Sequence, residues 1–155
     1  MKLLRTRQIL ETSERHLETV PSTNLDRLEI SSYFAQMAAV TFFSEMEEKL
    51  KEVVKERFVH GGDAKLAHFL SKTNEKLLSR MKRRDISETV GLFGEQCRID
   101  FQAKFPASEL EIYSNVIADR HETSHSTGSD VTLSEVKNAL EVGELMLVSI
   151  KEVIA

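Results

Sequence analysis

Residues 118–128, Ala-Asp-Arg-His-Glu-Thr-Ser-His-Ser-Thr-Gly, hold the chain's densest set of side chains able to do chemistry. Two motifs overlap there. Read from His121, the segment is H-E-x-x-H, with His121, Glu122 and His125 in register and Gly128 extending the match. On a helix this spacing sets two imidazoles one turn apart to bind zinc, while the glutamate acts on the metal-bound water. Read from Arg120, it is an arginine and a histidine separated by four residues. Here the guanidinium fork would hold phosphoryl oxygens and the imidazole would exchange a proton near neutral pH. The first pattern is that of a zinc-dependent hydrolase, the second that of phosphodiester cleavage without metal.

The flanks separate the two readings. A zinc motif needs a rigid helix through both histidines, yet Thr123, Ser124, Ser126 and Thr127 are indifferent helix formers and Gly128 is a stop. The longer zinc-protease form needs a third ligand at 131, which is Val131, with Asp130 one place out of register; Glu141 or Glu144 would have to serve instead. Arg120 beside the site opposes a cation. The same features favour the Arg–His pair. Residues five apart on a continuous helix point about 140° away from each other, so Arg120 and His125 converge only if the helix ends between them. His125 would then assist proton transfer as a ribose 2′-OH attacks the adjacent phosphorus, and Arg120 would stabilise charge on the phosphoryl oxygens. His121 and Glu122 take supporting places. This chemistry needs no metal and no cofactor.

The elements that must position these residues read as helices. Leu3, Leu10 and Leu17 mark a first amphipathic segment ended by Pro21. A long helix is expected over 26–58, with Phe34, Met37, Phe42, Met46, Leu50, Val53 and Val54 at three- and four-residue steps. Glu45–Lys49 and Glu47–Lys51 would brace its exposed side. Gly61 and Gly62 break it. A helix over 64–83 follows. Three explicit starts come next: Asp85 with Glu88, Ser108 with Glu111, and Thr132 with Glu135, each a capping-box spacing. The Ser108 helix carries Leu110, Tyr113, Val116 and Ile117 toward Arg120; the Thr132 helix carries Val136, Ala139, Leu140, Leu147, Ile150 and Ile154. Phe34, Met37, Phe42 and Phe43 are candidates for a dimer face, although their spacing favours the core. No strand signal competes. The expectation is an all-α, up-and-down bundle of four to six helices with a long first core helix. Residues 1–155 form one domain, with 1–22 as an extension or helix and 25–155 as the core bundle.

Composition limits the function classes. The chain is 41% hydrophobic and 30% charged with 6 Gly and 2 Pro, which fits a helix-rich globule and excludes a disordered tract. A net charge of −4 gives no global attraction for nucleic acid, so RNA would need a local basic patch. Arg80, Lys82, Arg83 and Arg84 form the densest basic run; they would contact an RNA backbone or, more simply, balance a helix C-terminus. Cys97 is the single cysteine, so no internal disulfide forms. No apolar run suggests a leader or a membrane span, and a cytoplasmic protein is expected.

Arg120-His121-Glu122-Thr123-Ser124-His125 resembles the R-x4–6-H motif of the HEPN superfamily. The motif's place at the end of the penultimate helix, before Gly128 and a final amphipathic helix, is similar too. The aromatic long helix, Tyr33 through Glu47, resembles the RiboL-PSP type. The likeness spans residues 25–155. It implies a helical, metal-independent endoribonuclease with Arg120 and His125 catalytic and RNA as substrate. It further implies a homodimer whose two motifs share one cleft, and a toxin or phage-defence role with an antitoxin or defence-system partner. The alternatives are a catalytically inactive binding or scaffold module of the same fold and, behind it, a zinc hydrolase through His121-Glu122-x-x-His125.

Overall fold

The computed structural model describes residues 1–21, 26–59, 83–123 and 131–155, with positions 62, 65, 68 and 70 between; for 83–85, 107 and 118–123 it describes backbone alone. The described residues form six helices and no strand: α1 Leu4–Thr19, α2 Asp26–Val59, α3 Arg83–Gly91, α4 Glu95–Lys104, α5 Ala107–Thr123 and α6 Leu133–Val153. The all-α bundle expected from periodicity is the observed fold.

Contacts between helices fix their directions. The Arg5 guanidinium of α1 reaches Glu48, while His16 sets its ring edge-on to Phe34 at 5.5 Å, so α1 and α2 run antiparallel. The Leu3 N–H donates to Glu144, and Lys137 reaches Glu14, so α1 is antiparallel to α6 as well. Lys104, just before α5, pairs with Glu152 near the end of α6, which makes α5 and α6 antiparallel. The two long helices α2 and α6 therefore run parallel. Gly143 of α6 packs against Phe42 and Met46 of α2, and Lys151 reaches Glu56 two turns further on. A side chain at 143 would start within 3.0 Å of both Met46 and Phe42, so the absence of a Cβ is what lets the helices approach. The core builds around that contact. Phe42, Met46, Leu50 and Val53 of α2 join Tyr113 and Val116 of α5 and Val136, Leu140, Leu147 and Ile150 of α6. Phe42 and Tyr113 meet edge to face at 5.8 Å. Leu3 and Leu10 belong to this same core cluster, so α1 packs as part of it.

Local chemistry explains several boundaries. At Thr132 the capping box is complete: the Glu135 N–H donates to Thr132 Oγ1 at 3.2 Å, and the Thr132 N–H donates to Glu135 Oε2 at 2.7 Å. Two other expected starts are corrected. Asp85 lies inside α3, since Arg83 and Arg84 are already helical and both are good helix formers. Ser108 lies inside α5, because the Pro106 carbonyl accepts from the Glu109 and Leu110 N–H groups and starts the helix two residues earlier. Proline suits that place, having no N–H to lose. The segment between Asp85 and Phe105 is also split. Gly94 at φ 139° turns the chain between α3 and α4, and Phe93 there stacks on Phe58 from the end of α2. Most of the helix expected over 64–83 lies outside the described residues.

Candidate functional site at the end of helix α5

Helix α5 is anchored by an apolar stripe. Leu110, Tyr113, Val116 and Ile117 are all buried, and they hold the helix against α2 and α6 up to the turn before the motif. Arg120, His121 and Glu122 stand on the last described turn of α5, which runs to Thr123. At about 100° per residue, position 120 falls on the same stripe as 113, 116 and 117. Position 121 falls at its edge and 122 on the opposite side. The backbone thus puts position 120 in the register of the core face and position 122 in the register of the outer face. The side chains of 120–122 and the whole of His125 lie outside the described residues. Arg80 and Lys82 lie outside them also, and Arg83 and Arg84 are placed by backbone alone in α3.

The level of the motif in the bundle follows from neighbouring contacts. Tyr113 meets Phe42. Seven residues along α5, a rise of about 10 Å, bring position 120 level with the Tyr33–Met37 stretch of the antiparallel α2. There α2 presents Tyr33, Met37 and Val40 to solvent, 60%, 47% and 50% exposed, at steps of four and three residues on one face. Of the four residues considered for a dimer face, Phe42 and Phe43 are buried, Phe34 is half-buried against His16, and Met37 is exposed. The exposed apolar stripe and position 120 occupy the same end of the bundle.

Two groups of the neighbouring core have settled roles. Tyr113 is fully buried; burial, helped by the Glu47 carboxylate, holds its phenol far above the ordinary range, so it stays protonated and moves no proton near neutral pH. Glu144, one of the carboxylates considered as a third zinc ligand, is engaged elsewhere. It accepts from the Leu3 N–H at 2.9 Å, from Lys2 Nζ at 2.8 Å and from Arg7 at 3.1 Å.

Glu144 and its counterpart Glu45 are the polar core residues that the helical pattern conceals. Glu45 does not pair with Lys49 on an exposed face; Lys49 reaches Glu52 instead. Glu45 is buried and accepts from the Arg5 N–H at 3.0 Å, the Thr6 N–H at 2.9 Å and Thr6 Oγ1 at 2.8 Å. The signal is present in the chain. Each glutamate sits inside an apolar stripe, Glu45 beside Phe42 and Met46, and Glu144 between Leu140 and Leu147. Lys51 does pair with Glu47, at 2.5 Å, as expected from their spacing.

Comparison of the chain with protein-family models, with curated proteins and with solved structures returned no match. Among the described residues no helix is long and apolar enough to cross a membrane.

Proposed function

We propose that the protein is a metal-independent endoribonuclease of the HEPN type, with Arg120 and His125 as its catalytic pair. The observation that carries this reading is the placement of Arg120. It stands on the last described turn of a helix pinned by Tyr113, Val116 and Ile117, in the register of that pinned face. A guanidinium rooted there has a fixed origin, which a transition-state contact requires, and His125 follows five residues later. In the reaction the ribose 2′-oxygen attacks the adjacent phosphorus while the imidazole of His125 assists transfer of its proton. The guanidinium of Arg120 stabilises charge on the equatorial oxygens. The bond to the 5′-oxygen breaks and that oxygen takes up the proton lost from the 2′-OH, leaving a 2′,3′-cyclic phosphate and a 5′-hydroxyl. His121, at the edge of the stripe, and Glu122, on the opposite register, take supporting places.

A homodimer completes the proposal. The exposed stripe of Tyr33, Met37 and Val40 lies at the motif's end of the bundle, so a second copy seated on it would bring two Arg120–His125 pairs together. Arg80, Lys82, Arg83 and Arg84 would supply phosphate contacts. Action in the cytoplasm as a toxin or phage-defence component, restrained by an antitoxin or defence partner, is part of the same reading.

The test is cleavage of a mixed RNA substrate in excess EDTA by the wild-type chain, Arg120→Ala and His125→Ala. The expected result is cleavage in EDTA with cyclic-phosphate ends, falling about 100-fold or more in each variant. Activity abolished by chelation and restored by zinc would instead assign a hydrolase through His121, Glu122 and His125. No activity in any form, with intact folding, would leave a binding or scaffold module.

A further inference from the structure

Helix α1 begins without a local cap. Leu3 stands at its N-cap position with no side-chain hydrogen bond, and its first turn holds no acidic residue. The free N–H groups of such an end need acceptors. They find them on two other helices: Glu144 of α6 takes the Leu3 N–H, and Glu45 of α2 takes those of Arg5 and Thr6. Lys2 and Arg7 close around Glu144, and Arg5 pairs with Glu48 beside Glu45.

The rest of the seam has the same character. The buried face of α1 runs Leu3, Thr6, Leu10, Ser13, Leu17, alternating leucine with a small hydroxyl residue. Among the described residues the buried polar or charged side chains are Thr6, Ser13, Glu45 and Glu144. Two are on α1, and the other two are the glutamates that receive it. The stripes that join α2, α5 and α6 are apolar by contrast. An interface built on fully paired carboxylates is specific, and losing a single partner is costly. The link to α2 starts at Val20, whose carbonyl accepts from Arg27 at 2.6 Å, followed by Pro21.

We propose that α1 is a detachable strap, which undocks as a unit from the α2–α6 face while the other helices stay folded, and that Glu45 and Glu144 set how tightly it is held. Undocking exposes an apolar face along α2 and α6 and releases two carboxylates at one end of it. The strap stands independently of the ribonuclease reading.

Amide hydrogen exchange of the full chain at neutral pH, resolved by mass spectrometry in increasing low urea, tests it. In the wild type, α1 should exchange through an opening at least 100-fold more frequent than that of α6. Glu45→Gln and Glu144→Gln should each speed α1 exchange a further tenfold or more at urea too low to unfold the other helices, with α1 still opening far more often than α6. Thr6→Val, which removes one donor to Glu45, provides a milder variant should either glutamine form fold poorly. Equal protection of α1 and α6 in the wild type would overturn the strap. Glutamine variants that leave α1 exchange unchanged would overturn the role of the two glutamates.

Discussion

Position 120 and Glu144 both fall on core-facing registers, and Glu144 has its partners there in Lys2 and the Leu3 N–H. Burial pushes the Glu144 carboxyl up, but hydrogen bonds from Lys2, the Leu3 backbone and Arg7 outweigh it and hold the group below its ordinary value of 4.5. A folded-state value below the unfolded one contributes stability above that range, and the contribution is lost as pH falls through it. Glu144→Gln should therefore lower the urea midpoint at pH 7, and the gap to wild type should shrink as pH falls below about 4.5; equilibrium unfolding followed by circular dichroism at several pH values reads this directly. Gly143 makes a second residue-scale case. A methyl there would stand 2.9 Å from Met46 Sδ and 3.0 Å from Phe42 Cε2, both fully buried. Overpacking of about 1–3 kcal/mol should exceed the roughly 1 kcal/mol that alanine gains over glycine in a helix. Gly143→Ala should thus unfold at lower urea than wild type, whereas a stabilised variant would mean that the two helices part without strain.

At the scale of elements, the chain displays its helices more openly than its joints. The Thr132–Glu135 box is legible because both reciprocal bonds are local, and Thr132→Ala should destabilise by about 1 kcal/mol, measured by chemical denaturation. Ser108 and Asp85 have the same spacing but do not begin their helices. At Ser108 a proline carbonyl already starts α5, and at Asp85 two arginines already extend the helix. Spacing alone does not weigh these competitors. The turn at Gly94 had a signal in the pair Gly91 and Gly94, but the apolar Leu92 and Phe93 between them mask it. Phe93 is there to stack on Phe58, a partner 35 positions away in the chain. Glu45 was hidden by the same limit: its neighbours allow an exposed ion pair with Lys49, and only the docked end of α1 shows why the carboxylate turns inward. The candidate site divides likewise. The helix that carries Arg120 and the stripe that anchors it follow from periodicity, whereas convergence with His125 depends on a chain path that helical spacing does not specify.

For the whole molecule, the parallel pair α2 and α6 forms the spine, with α1 and α5 antiparallel to both, and position 120 on the last described turn of α5 lies at the end where α2 exposes Tyr33, Met37 and Val40. If that stripe seats a second copy, sedimentation equilibrium should show a dimer at micromolar concentration, and Met37→Lys should shift it to monomer without lowering the unfolding midpoint. A monomer in the wild type would remove the shared cleft from the account. If RNA is the substrate, a net charge of −4 leaves its binding to local cations, so that binding should weaken steeply with salt. The most direct test of the central claim is RNA cleavage in excess EDTA by the wild-type chain beside Arg120→Ala and His125→Ala, with product ends identified. Cleavage to 2′,3′-cyclic phosphates that is lost in both variants is the predicted result. Cleavage that survives both substitutions, or that stops on chelation, would contradict it.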